Sequence, residues 1–266
     1  MVTTYLQGGL GNQIFQVAAG YAHAKRNSDT AVFDLNNSHT PHQGENISKY
    51  KNNIFREFNH MDNVYNVCNK VFSQPGHSYC EIPYFDNQQL QGFFQSEKFF
   101  SNVKTELVHK LIEGLNSEKD KHENVKKFLS DLEFHYEKPC VSVHIRRGDY
   151  LKFPHVHTLC GLDYYKNALS IMKEKIGDFT PIFISDDKKW CLDNFGGIVS
   201  PFNDELEDLM LMSNCSHNII ANSSFSWWGA YLNLNPNKIV IGPKRWFGPG
   251  GPQDQDDTIP ETWIKI

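Results

Sequence analysis

Two arginines stand side by side in VSVHIRRGDY, residues 141–150, at the end of an apolar alternation and just before Gly148 and Asp149. Val141, Val143 and Ile145 alternate with Ser142, His144 and Arg146, the two-residue period of a strand with one apolar and one polar face. A guanidinium at a strand end presents a rigid fork of donors suited to phosphate oxygens, so Arg146 is a candidate anion ligand with His144 as its neighbour. The competing role is a brace, in which an arginine is held by Asp149 or another carboxylate. If the strand continues, Arg147 faces the other way and takes the brace, leaving Arg146 for the ligand.

Three other stretches offer chemistry. PIFISDDKKW ends a strand in Ser185, Asp186 and Asp187 before a helix, so one aspartate N-caps and the other is free to orient a ligand or an arginine. Asp208 sits among Leu206, Leu209, Met210 and Met212, and a buried acid needs donors, either a Lys or Arg partner or the N1 and N2 edge of a guanine. Ser223, Ser224 and Phe225 open a helical run whose N-terminus is an anion site, with Trp227 and Trp228 as core anchors behind it. Near the N-terminus, GGLGNQIFQ fails as a dinucleotide fingerprint because Ile14 stands where the last glycine belongs. Its glycines still allow close backbone approach, and Asn12 and Gln13 supply side-chain donors and acceptors. The lone D-x-D, Asp254 to Asp256, lies in a Gly/Pro-rich tail without a preceding strand, so no metal is expected.

The elements that must position these residues alternate. Strand-like runs at 140–146, 181–185, 217–221 and 238–242 are separated by helical runs at 163–175, 188–195, 204–214 and 226–234. That order indicates a parallel α/β sheet, whose ligands bind beyond the carboxyl ends of the strands. A strand from Val2 to Leu6 enters a glycine turn and a helix, residues 36–90 read as irregular, and helical patterning returns from Ser96 to Leu132. The polar segment 133–139, ending in Pro139, is the expected boundary between domains 1–137 and 138–266.

Composition narrows the partners. With 266 residues, 26 Lys plus Arg against 31 Asp plus Glu and a net charge of -5, the chain is not the basic protein a nucleic acid would select. No apolar run reaches the roughly 20 residues of a membrane span, so a soluble, cytoplasmic protein is expected. Its six cysteines, with no C-x-x-C, read as reduced thiols. Asn222-Ser223-Ser224 is a sequon, but it falls in the expected ligand loop.

Taken in order, GGLGNQIFQ, GFFQSEKFF, HIRRGDY, LDYYKNA, ISDD and NSSFSWWGAYLN resemble the α-1,2-fucosyltransferases of glycosyltransferase family 11, the bacterial soluble members in particular. The resemblance implies an α/β fold of GT-B type, two Rossmann-like domains facing an interdomain cleft. It implies an N-terminal acceptor-side domain and a C-terminal domain that holds GDP-fucose without a metal or other cofactor. Fucose would pass to the 2-hydroxyl of a galactose-containing glycan, with peripheral association at membrane-linked acceptors left open. Arg146 would contact the β-phosphate with His144 and Arg147 beside it, Asp208 the guanine, Ser223, Ser224 and Phe225 the pyrophosphate, and Asn12 and Gln13 the cleft. Asp149, Asp186 and Asp187 are the candidate bases for the acceptor hydroxyl. Another linkage or acceptor, or a non-catalytic GDP-sugar-binding protein, remain alternatives.

Overall fold

The computed structural model describes residues 1–38 and 45–266; residues 39–44, part of the stretch read as irregular, lie outside the described residues. The chain forms two compact units, Met1–Glu118 with Asp254–Pro260, and Lys119–Gln253 with Glu261–Ile266. The division thus falls at 118/119, while the sequence reading puts it in the polar segment 133–139.

In the first unit, β1 (Val2–Thr4) leads through Gly8, at φ 76°, into α1 (Leu10–Arg26), whose buried side includes Ile14, Phe15, Val17, Ala18 and Ala22. The rest of its sheet comes from within the stretch read as irregular. The strands β2 (Lys70–Ser73) and β3 (Gln88–Gln91) complete a parallel sheet in the order β1-β3-β2, and α2 (Lys104–Asn116) follows. The central strand β3 is QQLQ, a sequence that no apolar period reveals. Buried Gln88 is tolerable there because its amide donates to the Pro83 carbonyl at 2.8 Å while its oxygen accepts from Phe85 N at 3.1 Å. The D-x-D tail is bound into this unit. Asp254 accepts from the backbone N–H of His77 at 2.7 Å and of Ser78 at 3.1 Å, so its carboxylate acts as a backbone cap.

The second unit opens with α3 (Lys119–Tyr136), which belongs here because it is tied to the segment leading into a later helix by the Phe128–Phe202 ring pair and a 3.0 Å Lys121–Asp204 ion pair. Then β4 (Cys140–Ile145), α4 (Leu162–Ile176), β5 (Thr180–Ser185), α5 (Lys188–Phe195), β6 (Ile198–Val199), α6 (Glu205–Asn214), β7 (His217–Ile219), α7 (Ser224–Tyr231), β8 (Val240–Gly242) and β9 (Ile264–Lys265) alternate. The six strands are all parallel, in the order β6-β5-β4-β7-β8-β9. Each run expected from the sequence has its element.

Strand β4 is buried along its whole length, as a central parallel strand covered on both faces must be. The sequence alternation therefore separates an apolar core from a polar interior, not from water. Val141, Val143 and Ile145 join Tyr165 and Met172 of α4 and Cys191 of α5 in one cluster. On the opposite face, Ser142 accepts from Asn218 Nδ2 at 2.7 Å; the same amide reaches the Met212 carbonyl, and Asn233 Nδ2 donates to Asn218 Oδ1 at 2.9 Å. Trp227 and Trp228 are wholly buried, the anchors expected of them. The six cysteines are free, and no helix among the described residues is long and apolar enough to cross a membrane.

Candidate active site

Strand register builds the site. Ile145 lies opposite Ser185 and Val143 opposite Ile219, so the loops after β4, β5 and β7 leave the sheet along one carboxyl edge. There Asp186 holds the loop after β4. Its carboxylate accepts from Arg147 N at 3.0 Å and Gly148 N at 3.1 Å, and pairs with the Arg146 guanidinium at 3.1 Å. A Cβ at Gly148 would stand 2.8 Å from Asp186 Oδ2, which explains the glycine in the motif.

The two arginines differ. Arg146 also pairs with Asp149 at 2.7 Å, lies over the Tyr150 ring at 5.7 Å and stays about a third exposed, at 31%. The two carboxylates occupy part of its five-donor fork and leave the rest for an incoming anion. Arg147 pairs with Asp187 at 3.1 Å and stacks over Trp190 at 4.3 Å. Asp187 in turn caps α5 by accepting from Trp190 N at 3.1 Å, and that bond, together with Arg147, holds its carboxyl below the usual carboxylate range. Arg147 is therefore the brace that the sequence suggests. Arg146 is held as well, by Asp149 and Asp186, so the brace weighed for one arginine applies to both, because three carboxylates surround the pair.

Around this core the other expected residues take distinct places. His144 is buried, packs on Phe225 with ring centroids 5.7 Å apart, and its Nδ1 has no hydrogen-bond partner among the described residues. Burial, helped by Arg146, pushes its pKa down to about 3, so the ring is neutral. Asp208 has no Lys or Arg ion pair among the described residues; Ser200 Oγ donates to it at 2.6 Å. Burial pushes its carboxyl up to about 6, against the opposing pull of Ser200 and Lys188. Of the serines, Ser226 donates to backbone carbonyls of Ala221 and Ser223, whereas the Ser223 side chain does not cap α7. The N–H groups of Ser224, Phe225 and Ser226 in the first turn precede the first intrahelical bond, which Trp227 N makes to the Ser223 carbonyl at 3.0 Å.

Asn222 plays a part that its sequon hides. Its amide donates to the Thr158 carbonyl at 2.7 Å and the Trp246 carbonyl at 2.8 Å, and its own carbonyl accepts from Tyr150 at 2.8 Å. Buried and committed to these bonds, it is a strut between loops and not a glycan acceptor in the folded chain. Asn12 and Gln13 lie in the first unit. Asn12 Oδ1 accepts from Gln95 Nε2 at 2.7 Å, which joins the GGLGNQ and GFFQSEKFF stretches, and buried Gln13 donates to the carbonyls of Gly8 at 2.7 Å and Glu45 at 3.0 Å. Gln13 is thus a knot of the glycine turn. Asp34, His60 and Asp62, also in the first unit, are near enough together to share a cation. Their atoms are already engaged: Asp34 accepts from Asn36 N and Asn63 N, and His60 accepts from Leu35 N and pairs with Asp62.

The family model described as glycosyl transferase family 11 matches residues 1–266, and the chain belongs to that family. Among its relatives, an alpha-1,2-colitosyltransferase of Escherichia coli is 32% identical over 296 residues, covering 100% of this chain and 99% of that protein. A galactoside 2-alpha-L-fucosyltransferase of Caenorhabditis elegans is 27% identical and covers 100% of this chain and 79% of its own length. A solved structure of POFUT1 in complex with GDP superposes with a TM-score of 0.51 at 13% identity, covering 91% of this chain and 97% of that one, a likeness of fold.

Loss of the Arg147 brace should register as stability. Arg147→Ala removes a stacked, paired guanidinium worth about 1–2 kcal/mol, so thermal unfolding is expected a few degrees lower. An unchanged melting curve would contradict the brace.

Proposed function

We propose that the protein is an inverting, metal-independent α-1,2-fucosyltransferase of GT-B type, moving L-fucose from GDP-β-L-fucose to the 2-hydroxyl of a terminal β-galactoside. The donor half is the second unit. The observation that carries this reading is a part-exposed Arg146 just past β4 and an uncapped first turn of α7 just past the adjacent β7, two segments that meet in the His144–Phe225 ring contact at 5.7 Å. Both are anion ligands, and the family's chemistry requires one where the nucleotide leaves.

As the bond from fucose C1 to the β-phosphate breaks, the sugar becomes oxocarbenium-like and negative charge grows on the diphosphate. Positive charge and N–H dipoles fixed beforehand lower that barrier without reorganising. Arg146, aimed by Asp149 and Asp186, meets this charge together with the backbone N–H groups of Ser224 and Phe225. Neutral His144 and the Ser223 hydroxyl complete the polar lining, and Asp208 takes the guanine N1 and N2 edge. Attack from the face opposite a β-linked donor gives the α-fucoside. Asn12 and Gln13 belong to the acceptor side. The colitosyltransferase relative favours a second reading of the donor alone, since colitose is fucose without its 3-hydroxyl.

Incubation without metal with GDP-fucose or GDP-colitose and a panel of β-galactosides should give a product linked to the galactose 2-hydroxyl. Arg146→Ala should lower that turnover by on the order of 10²-fold or more with the fold intact. Transfer to a different hydroxyl, or a strict requirement for a divalent cation, would overturn the assignment. The Asp208 role has its own pH signature. A carboxyl that titrates near 6 goes from about a tenth ionised at pH 5 to about nine tenths at pH 7, so GDP affinity should rise about tenfold over that interval. Asp208→Asn should bind GDP weakly and without that slope; binding equal to the parent at both pH values would remove Asp208 from the guanine.

A further inference from the structure

The three carboxylates that the sequence offers as bases are all engaged. Asp186 holds two backbone N–H groups and Arg146, Asp187 caps α5 and holds Arg147, and Asp149 pairs with Arg146 at 2.7 Å. A carboxylate that took the acceptor proton from any of these positions would give up the arginine it positions.

One basic group beside them is not used in this way. His157 stacks flat on Tyr150, with ring centroids 4.1 Å apart and planes 9° from parallel, and Tyr150 is the ring that Arg146 overlies. The stack is fixed at both ends. Tyr150 donates to the Asn222 carbonyl, and His157 N donates to the Phe153 carbonyl at 3.0 Å. Gly248 N and Gly250 N each donate at 2.8 Å to the carbonyls of Val156 and His155, which holds the segment ahead of the imidazole in place. Leu151, Phe153 and Val156 on the same segment are exposed, so this flank is open to solvent and to an incoming sugar.

We propose that His157 is the general base for the acceptor hydroxyl, a role that rests on the transferase reading above. An imidazole nitrogen takes the hydroxyl proton while the oxygen forms its bond to fucose C1. The C1–O bond to the β-phosphate breaks, its electron pair leaves with GDP, and the proton passes from the imidazolium to water after the product departs. Partial burial, with Arg146 acting in the same direction and Asp149 against it, holds the imidazole below its ordinary pKa and so unprotonated at neutral pH. Besides these two charges, the rings of Tyr150 and Phe247 face it, the latter at 6.4 Å between centroids.

The test is steady-state kinetics of wild type, His157→Phe, which keeps an aromatic ring on Tyr150, and His157→Ala. His157→Phe should lose turnover by on the order of 10²-fold or more while GDP affinity stays within about threefold. The acid limb of the wild-type kcat profile, taken at saturating donor so that the Asp208 titration of nucleotide affinity does not enter, should vanish, and added imidazole should restore part of the turnover of His157→Ala. Turnover within threefold of wild type in His157→Phe, or an equal fall in GDP affinity without imidazole rescue, would overturn the role. If wild type transfers from neither donor, the transferase reading itself falls, and the base with it.

Discussion

One carboxylate organises the candidate site. Asp186, just past β5, accepts two successive backbone N–H groups and a guanidinium from the segment that follows β4. Its position is set by the parallel register that places Ile145 opposite Ser185, a consequence of burying β4 on both faces. The loop is thereby fixed by the sheet itself. A carboxylate with three donors is well satisfied even at this exposed position, and the arginine it holds is oriented before any ligand arrives. Such prior orientation makes an electrostatic site effective, since little reorganisation remains for the moment of reaction.

The neighbouring interactions extend the same logic. Arg147 ties the loop to α5 through Asp187 and Trp190, and Asn222 ties the end of β7 to the loop after β4 and to Trp246. Tyr150, bound to the Asn222 carbonyl, then carries both Arg146, 5.7 Å from its ring centroid, and the stacked His157. Four family stretches, HIRRGDY, LDYYKNA, ISDD and NSSFSWWGAYLN, are linked by these bonds and by Tyr164, which donates to the Ile220 carbonyl at 2.6 Å. Their common order along the chain reflects a common edge in space.

Much of this was legible because strands and helices of the second unit carry clean periods, and because charge at a strand end is costly unless used. Val141, Val143 and Ile145 revealed β4, but the strand ends at Ile145, so its two-residue repeat does not extend to Arg146 and Arg147, which differ by their carboxylate partners. The first unit was harder: β3 is built largely of glutamines, and the burial of Gln88 depends on Pro83 and Phe85, partners that no apolar period announces. Asn222 read as a sequon because its bonds reach Thr158 and Trp246, far along the chain. His157 carried no signal at all, for a histidine in a loop gains meaning only from the ring on which it stacks. The domain boundary was drawn at the polar segment, yet α3 joins the second unit through Phe128 and Lys121, side chains whose partners lie about 75 to 85 residues away.

The central claim is that Arg146 receives the second phosphate of the nucleotide while its neighbour does not. Calorimetric titration of wild type and Arg146→Ala with GDP and with GMP isolates that contact. A charge-assisted contact of about 1.5–3 kcal/mol predicts GDP affinity lower by on the order of 10- to 100-fold in the variant, with GMP affinity nearly unchanged. Equal losses for both nucleotides, or GDP affinity equal to that of wild type, would contradict it.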